Sequence, residues 1–185
     1  MKKIFLGIFL TLLLSTFYIP SSGGLPAEDV QIVTDAQYFQ TAMKMMQGAK
    51  ISIRVMMFEM EYYDDHPDSP SNLLIKELIG AKKRGVKVEV ILEVREDADR
   101  TSKRNRLTGK MLSEGGVEVT YDSLSKTTHA KLMIIDEHLT LVGSTNWTYY
   151  ALTYNHEVSV LVRSREVAKE LINYFNQVKA AGSKP

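Results

Sequence analysis

The run Thr128-His129-Ala130-Lys131-Leu132-Met133-Ile134-Ile135-Asp136 sets an imidazole and a primary ammonium two residues apart at the head of an apolar stretch. Alternate side chains of an extended strand share a face, so His129 and Lys131 project together, about 7 Å apart along the chain. Such a pair is poor core design, because burying an ammonium without a partner is costly. It suits phosphate chemistry: imidazole can attack phosphorus, and the ammonium neutralises non-bridging oxygens. Further on, Gly143-Ser144-Thr145-Asn146 offers close backbone approach at the glycine and short donors at Ser144 and Asn146. Asn155-His156-Glu157 then supplies a carboxylate that could receive the Nδ1 proton of His129, leaving Nε2 free to attack.

Elements must hold these groups. Ala130–Ile135 and Leu139–Val142 read as strands joined by a tight hairpin at Asp136-Glu137-His138. Ile51–Phe58 is β-rich and mostly apolar, a central strand, and Val86–Leu92 is another. Between them a helix starts at Ser71 or Asn72 and runs through Arg84 to a stop at Gly85, which makes a right-handed βαβ unit with parallel strands. Asp35 could cap a helix over Ala36–Gln47, ended by Gly48. The polar segment Arg95–Lys110 leads into a short helix ending near Gly115-Gly116, followed by a strand over Val117–Thr120. Glu157–Val162 is a further strand and Arg165–Lys179 a closing amphipathic helix. The sum predicts an α/β chain: one domain over residues 25–185, a mixed β-sheet flanked by helices.

Composition is that of an ordinary globular protein, 44% hydrophobic in 185 residues, with no cysteine and therefore no thiolate nucleophile or disulfide. Lys2-Lys3, the apolar run Ile4–Leu14 continuing loosely to Ile19, and the small residues of Pro20-Ser21-Ser22-Gly23-Gly24 follow the order of a secretory signal. Residues 1–24 are therefore expected to direct export, to the periplasm or beyond the cell; the alternative is an inner-membrane anchor made by residues 4–19. Without Lys2 and Lys3 the remainder holds 21 basic and 22 acidic residues, so only local clusters can attract a polyanion. One such cluster contains Arg100, Lys103, Arg104 and Arg106, which fits either phosphate contact or an ordinary charged helix face. Trp147, Tyr149 and Tyr150 follow the Ser144–Asn146 turn and can stack on bases or fill a core or interface.

His-x-Lys-x(4)-Asp followed by Gly-Ser-x-Asn resembles the HKD signature of the phospholipase D superfamily, carried here by His129, Lys131, Asp136, Gly143, Ser144 and Asn146. With Glu157 and a single motif, the chain is similar in particular to the small bacterial endonuclease branch. The resemblance implies a phospholipase D/nuclease-like sandwich. His129 would form a phosphohistidine, Lys131 and Asn146 would bind phosphoryl oxygens with help from Ser144, and Glu157 would orient His129. Asp136 belongs to the signature as a support. In-line displacement also needs a general acid opposite the nucleophile. His66, His138 and His156 lack a lysine two residues on, so no second motif supplies one. Larger members carry two motifs about a pseudo-twofold axis, and a homodimer would set two copies of His129 face to face. The implied activity is a non-specific, metal-independent phosphodiesterase without cofactor, cleaving DNA or RNA. The rival substrate is a phospholipid headgroup, and a non-catalytic nucleic-acid-binding module is the remaining alternative.

Overall fold

The structure, a computed structural model, describes residues 23–96 and 99–185. The expected export segment falls outside them except for Gly23 and Gly24. Seven strands form one mixed sheet: β1 (Asp29–Thr34), β2 (Ser52–Met57), β3 (Lys87–Leu92), β4 (Glu118–Tyr121), β5 (Lys131–Ile135), β6 (Leu139–Gly143) and β7 (Val158–Arg163). Their spatial order is β1-β7-β6-β5-β2-β3-β4. β2, β3 and β4 run parallel, and every other neighbouring pair is antiparallel. Five helices complete the chain: α1 (Gln37–Gly48), α2 (Pro70–Lys83), α3 (Arg100–Glu114), α4 (Tyr149–Thr153) and α5 (Arg165–Ala181). The expected α/β class and the parallel β2–β3 pair are therefore present.

Alternation along the strands separates two cores. Met57 and Met133 face α1, α2 and α3, joining Met46, Leu78, Leu112 and Trp147. Met56, Leu132 and Ile134 face the other way, onto Ala168 and Phe175 of α5. β2 and β5 are buried at every position, as expected of strands covered on both faces.

Several boundaries differ from the sequence reading for local reasons. β1 was not foreseen: five of its six residues are exposed, so the alternation that betrays a strand is weak at this sheet edge. α2 begins at Pro70, a favoured first helical residue, with the Ser69 side chain accepting from Asn72 N at 3.3 Å. α3 is a 15-residue helix rather than a short one, because Asp99 caps it by accepting from Ser102 N at 2.7 Å. Asp35 does not cap α1. It adopts a left-handed φ of 49°, and its Oδ1 accepts from Glu157 N at 2.8 Å.

The inner face of α3 is polar. Ser102, Asn105 and Thr108 are all fully buried. Asn105 Nδ2 donates to Phe58 O and to Glu93 O, each at 2.7 Å, and its Oδ1 accepts from Met60 N at 2.8 Å. Thr108 Oγ1 donates to Met60 O at 2.9 Å, and Ser102 Oγ accepts from Arg95 N at 2.8 Å. One helix thereby satisfies the loose backbone ends of both β2 and β3, where the chain leaves the sheet beside β5.

Candidate active site

His129 precedes β5 by two residues and is exposed, while Lys131 is 5% exposed. Lys131 Nζ donates to His129 O at 2.8 Å and stands 3.3 Å from Nδ1 and 3.5 Å from Nε2 of the ring. The expected shared face is thus realised. Phe58, at the end of β2, packs its ring 4.6 Å from the imidazole and lies 4.7 Å beneath Lys131 Nζ. The cation–π contact gives the ammonium a partner that leaves its charge free for an anion. Behind His129, Thr128 N donates to Glu93 at 2.7 Å, and the Thr128 hydroxyl donates to Asp122. Burial pushes the Glu93 carboxyl above its ordinary range, the Thr128 amide opposes that, and the neighbouring Asp122 adds to the rise.

The ammonium of Lys131 is the main cause of a lowered His129 pKa, with burial and Arg95 adding to it. This shift favours the neutral form of the ring, the form in which an imidazole has a free lone pair. Lys131 itself is lowered by burial, against the pull of Glu157 and Glu59.

The second part of the site comes from the end of β6 and the start of β7. A Cβ on Gly143 would stand 2.2 Å from Ser159 Oγ and 2.4 Å from Val158 O, so only glycine lets the strands approach here. Ser144 Oγ donates to Glu157 and accepts from Val158 N at 3.2 Å. Its proton is committed to Glu157, so the hydroxyl is not a free donor in this arrangement. Asn146 Oδ1 is buried without a protein partner, an energetic cost that polar groups carry at ligand sites.

Not every expected residue arrives. Glu157 lies close enough to raise Lys131, but its carboxylate bonds to Ser144 and, at 3.1 Å, to Asn155 Nδ2 rather than to the ring of its own His129. Asp136 is at the opposite end of β5, about 17 Å of strand from Lys131. There Asp136 Oδ1 accepts from Ile51 N at 2.7 Å and Ser52 N at 2.9 Å, and Oδ2 from Lys50 N at 2.9 Å, which ties the hairpin to the start of β2. Trp147 is fully buried with Nε1 donating to Tyr38 OH at 3.1 Å, so it is core and no base can reach it. Arg104 is held by Glu59 and Glu61, each at 2.6 Å, which spends its charge inside the protein. Arg100, Lys103 and Arg106 stay exposed on α3, Arg106 with its guanidinium 5.2 Å from the Tyr121 ring centroid. Phe58, Glu59, Glu93 and Arg95 enter the site unannounced. Their spacing from His129 carries no local pattern; the pairing of Met57 with Lys131 brings in Phe58 and Glu59, and that of Met57 with Leu92 brings in Glu93 and Arg95.

Known proteins with the same architecture include the phospholipase D family member Nuc from Salmonella typhimurium, with a TM-score of 0.72 at 24% identity, covering 85% of this chain and 97% of that one. Cardiolipin synthase B of Escherichia coli (strain K12) is 29% identical over 112 residues, 60% of this chain and 27% of its own. Phospholipase D of Rickettsia prowazekii (strain Madrid E) is 30% identical over 108 residues, 57% of this chain and 50% of its own. The chain thus spans at most about half the length of these curated relatives. The profile of the family described as cardiolipin synthase, PLD-like domain, matches residues 42–179, which take in the ends of β2 and β3, α3 and the whole of the His129–Glu157 constellation. This chain belongs to the phospholipase D-like domain family.

Proposed function

We propose that the protein is a phosphodiesterase that cleaves nucleic-acid strands through a covalent intermediate on His129, without metal or cofactor. The observation that carries this reading is the His129 imidazole held against Lys131 and Phe58, its pKa lowered chiefly by the ammonium. Nε2 attacks phosphorus in line, a P–N bond forms and the P–O bond to the leaving oxygen breaks. Lys131 and Asn146 hold the non-bridging oxygens as charge grows on them. The leaving oxygen takes a proton from the protonated partner subunit's His129. Water then attacks phosphorus, gives its proton to that imidazole, and releases His129.

A dimer is supported by an apolar face that none of the described residues covers. Val30 and Ile32 of β1, Val142 of β6 and Val158 of β7 are 55%, 64%, 38% and 54% exposed. Strand register sets them on the α5 side of the sheet, beyond the reach of that helix, and Val142 and Val158 adjoin the Gly143–Ser144 turn and Glu157. A second copy docked there would cover Val142 and Val158 at the strand ends that lead to Ser144 and Glu157. Glu157, unbonded to its own ring, would then be available to orient the partner subunit's His129. Exposed Arg100, Lys103 and Arg106 favour a polyanionic strand as substrate. The names of the cardiolipin synthase and phospholipase D relatives favour a phosphatidyl headgroup as the second reading. Export directed by the first 24 residues would set the enzyme outside the cytoplasm.

Purified protein and its His129→Ala variant, incubated in EDTA with plasmid DNA, single-stranded RNA and phosphatidylcholine vesicles, test the proposal. Strand cleavage lost in the variant supports it. Choline release alone establishes the lipid reading, and no turnover on any substrate overturns both.

A further inference from the structure

Beside the site lies an open cleft of about 640 Å³ lined by Tyr63, Asp65, Asp68, Tyr149 and Tyr150 among others. Its walls continue the segments that carry Glu59 and Asn146. Trp147 N donates to Glu59 O at 3.0 Å, Glu61 N to Trp147 O at 2.9 Å, and Tyr149 N to Tyr63 OH at 3.0 Å. A strand whose phosphate sits on Lys131 and Asn146 would therefore run on toward the cleft.

Both walls are rigid. Tyr149, Tyr150 and Tyr154 pack with centroids 5.7–5.9 Å apart, while Tyr150 and Tyr154 remain 67% and 70% exposed. Opposite, the buried Asn72 donates to Tyr63 O at 2.8 Å and His66 O at 2.9 Å and accepts from Tyr63 N at 2.8 Å, which fixes the loop that presents Asp65 and Asp68. These two carboxylates are exposed and enter no ion pair among the described residues. Among those residues the acids and His66 form no group able to hold a metal ion.

A carboxylate-lined cleft repels phosphate, so the backbone is not its ligand. Ring faces with acceptors at the edge suit a base that stacks and offers N–H donors. Guanine carries two such donors side by side, N1–H and the N2 amino group, which match the two oxygens of one carboxylate. Resting on the nucleic-acid reading above, we propose that the cleft between loop 63–70 and α4 is a base subsite that takes an unstacked guanine, with Tyr150 as platform and Asp65 and Asp68 as acceptors. The enzyme then prefers single strands that place a guanine near the cleaved bond.

The test compares cleavage in EDTA of single-stranded oligothymidylate with and without one central guanine, using the full protein, Asp65→Asn/Asp68→Asn and Tyr150→Ala. Hydrolysis of bis(4-nitrophenyl) phosphate, too small to span both places, is the control. Expected is a kcat/KM on the order of tenfold higher for the guanine strand, a preference erased in the double variant. Tyr150→Ala lowers strand cleavage by a similar factor, and the small diester is hydrolysed at unchanged rate by all three. Equal cutting of both strands by the unaltered protein overturns the subsite while the nuclease reading stands. Variants slowed equally on the small diester, or a preference that survives in them, overturn it too. Hydrolysis of the small diester with neither strand cut sinks the nuclease reading and the subsite with it, and choline release from phosphatidylcholine vesicles that falls in the variants assigns the cleft to a headgroup instead.

Discussion

An ammonium 3.3 Å from a ring nitrogen decides the protonation state of His129 more than burial does, because the ring is exposed and its pKa falls chiefly through Lys131. Imidazole NMR should accordingly give a titration midpoint for His129 below the ordinary 6.5, moving up toward that value in Lys131→Met. A midpoint that ignores the substitution would mean that the ammonium does not act on the ring. Asp136 makes a different prediction. Its carboxylate satisfies three backbone N–H groups at the start of β2 and touches nothing at the site. Asp136→Ala should therefore cost about 2 kcal/mol in denaturant unfolding while leaving kcat nearly intact at temperatures where the variant is folded. A large loss of kcat in a fully folded variant would return Asp136 to the chemistry.

At the level of elements, α3 and α5 each fasten one part of the frame. α3 holds the ends of β2 and β3 through Asn105, whose three bonds are made to buried backbone groups. Asn105→Leu should lower stability by about 3 kcal/mol and also reduce kcat, because Phe58 would lose the anchor that keeps it against His129. Intact kcat with lowered stability would show that Phe58 is fixed by β2 alone. α5 is fastened by Lys179, which reaches Glu89 at 2.5 Å and Glu118 at 2.6 Å. Burial pushes Glu89 up, but the lysines Lys179 and Lys87 outweigh it and hold the carboxyl below its ordinary range. A carboxyl lowered by folding adds stability above its unfolded pKa and loses it as pH falls through the folded one. Thermal unfolding should thus show a loss of stability below about pH 4.5 that is smaller in Lys179→Met. Identical acid profiles would place the acid sensitivity elsewhere.

For the molecule as a whole, the face of β1, β7 and β6 that the described residues leave exposed is the feature that calls for a partner surface. Large contiguous apolar patches mark association sites, and this one adjoins the Gly143–Ser144 turn in the chain. On the proposed dimer, Ile32→Asp with Val158→Asp should convert the sedimenting species from dimer to monomer with an unchanged circular dichroism spectrum. It should also lower phosphodiester cleavage by at least about a hundredfold, since each site would lose the opposing imidazole that serves as its acid. A fully active monomer would show that one copy of His129 suffices.

The juxtaposition of His129 and Lys131 was readable from order alone because the two residues are local. His129 and Lys131 are neighbours on one strand, and period-two alternation fixes their shared face. Gly143 to Asn146 follows one hairpin turn later, and the apolar runs of β2, β3 and β5 announced a mixed sheet. What the order of residues did not contain is everything set by contacts between distant segments. Phe58 meets His129, and Asn105 meets Phe58, only because β2 and β5 pair and α3 folds over their ends. The sequence left Trp147 open between stacking on bases and filling a core, and its burial against Tyr38 decides for the core; Arg104 could have met phosphate, but Glu59 and Glu61 close on it. A side chain's type states what it can do; whether water, substrate or protein surrounds it depends on packing across the chain, and that is a property of the tertiary structure.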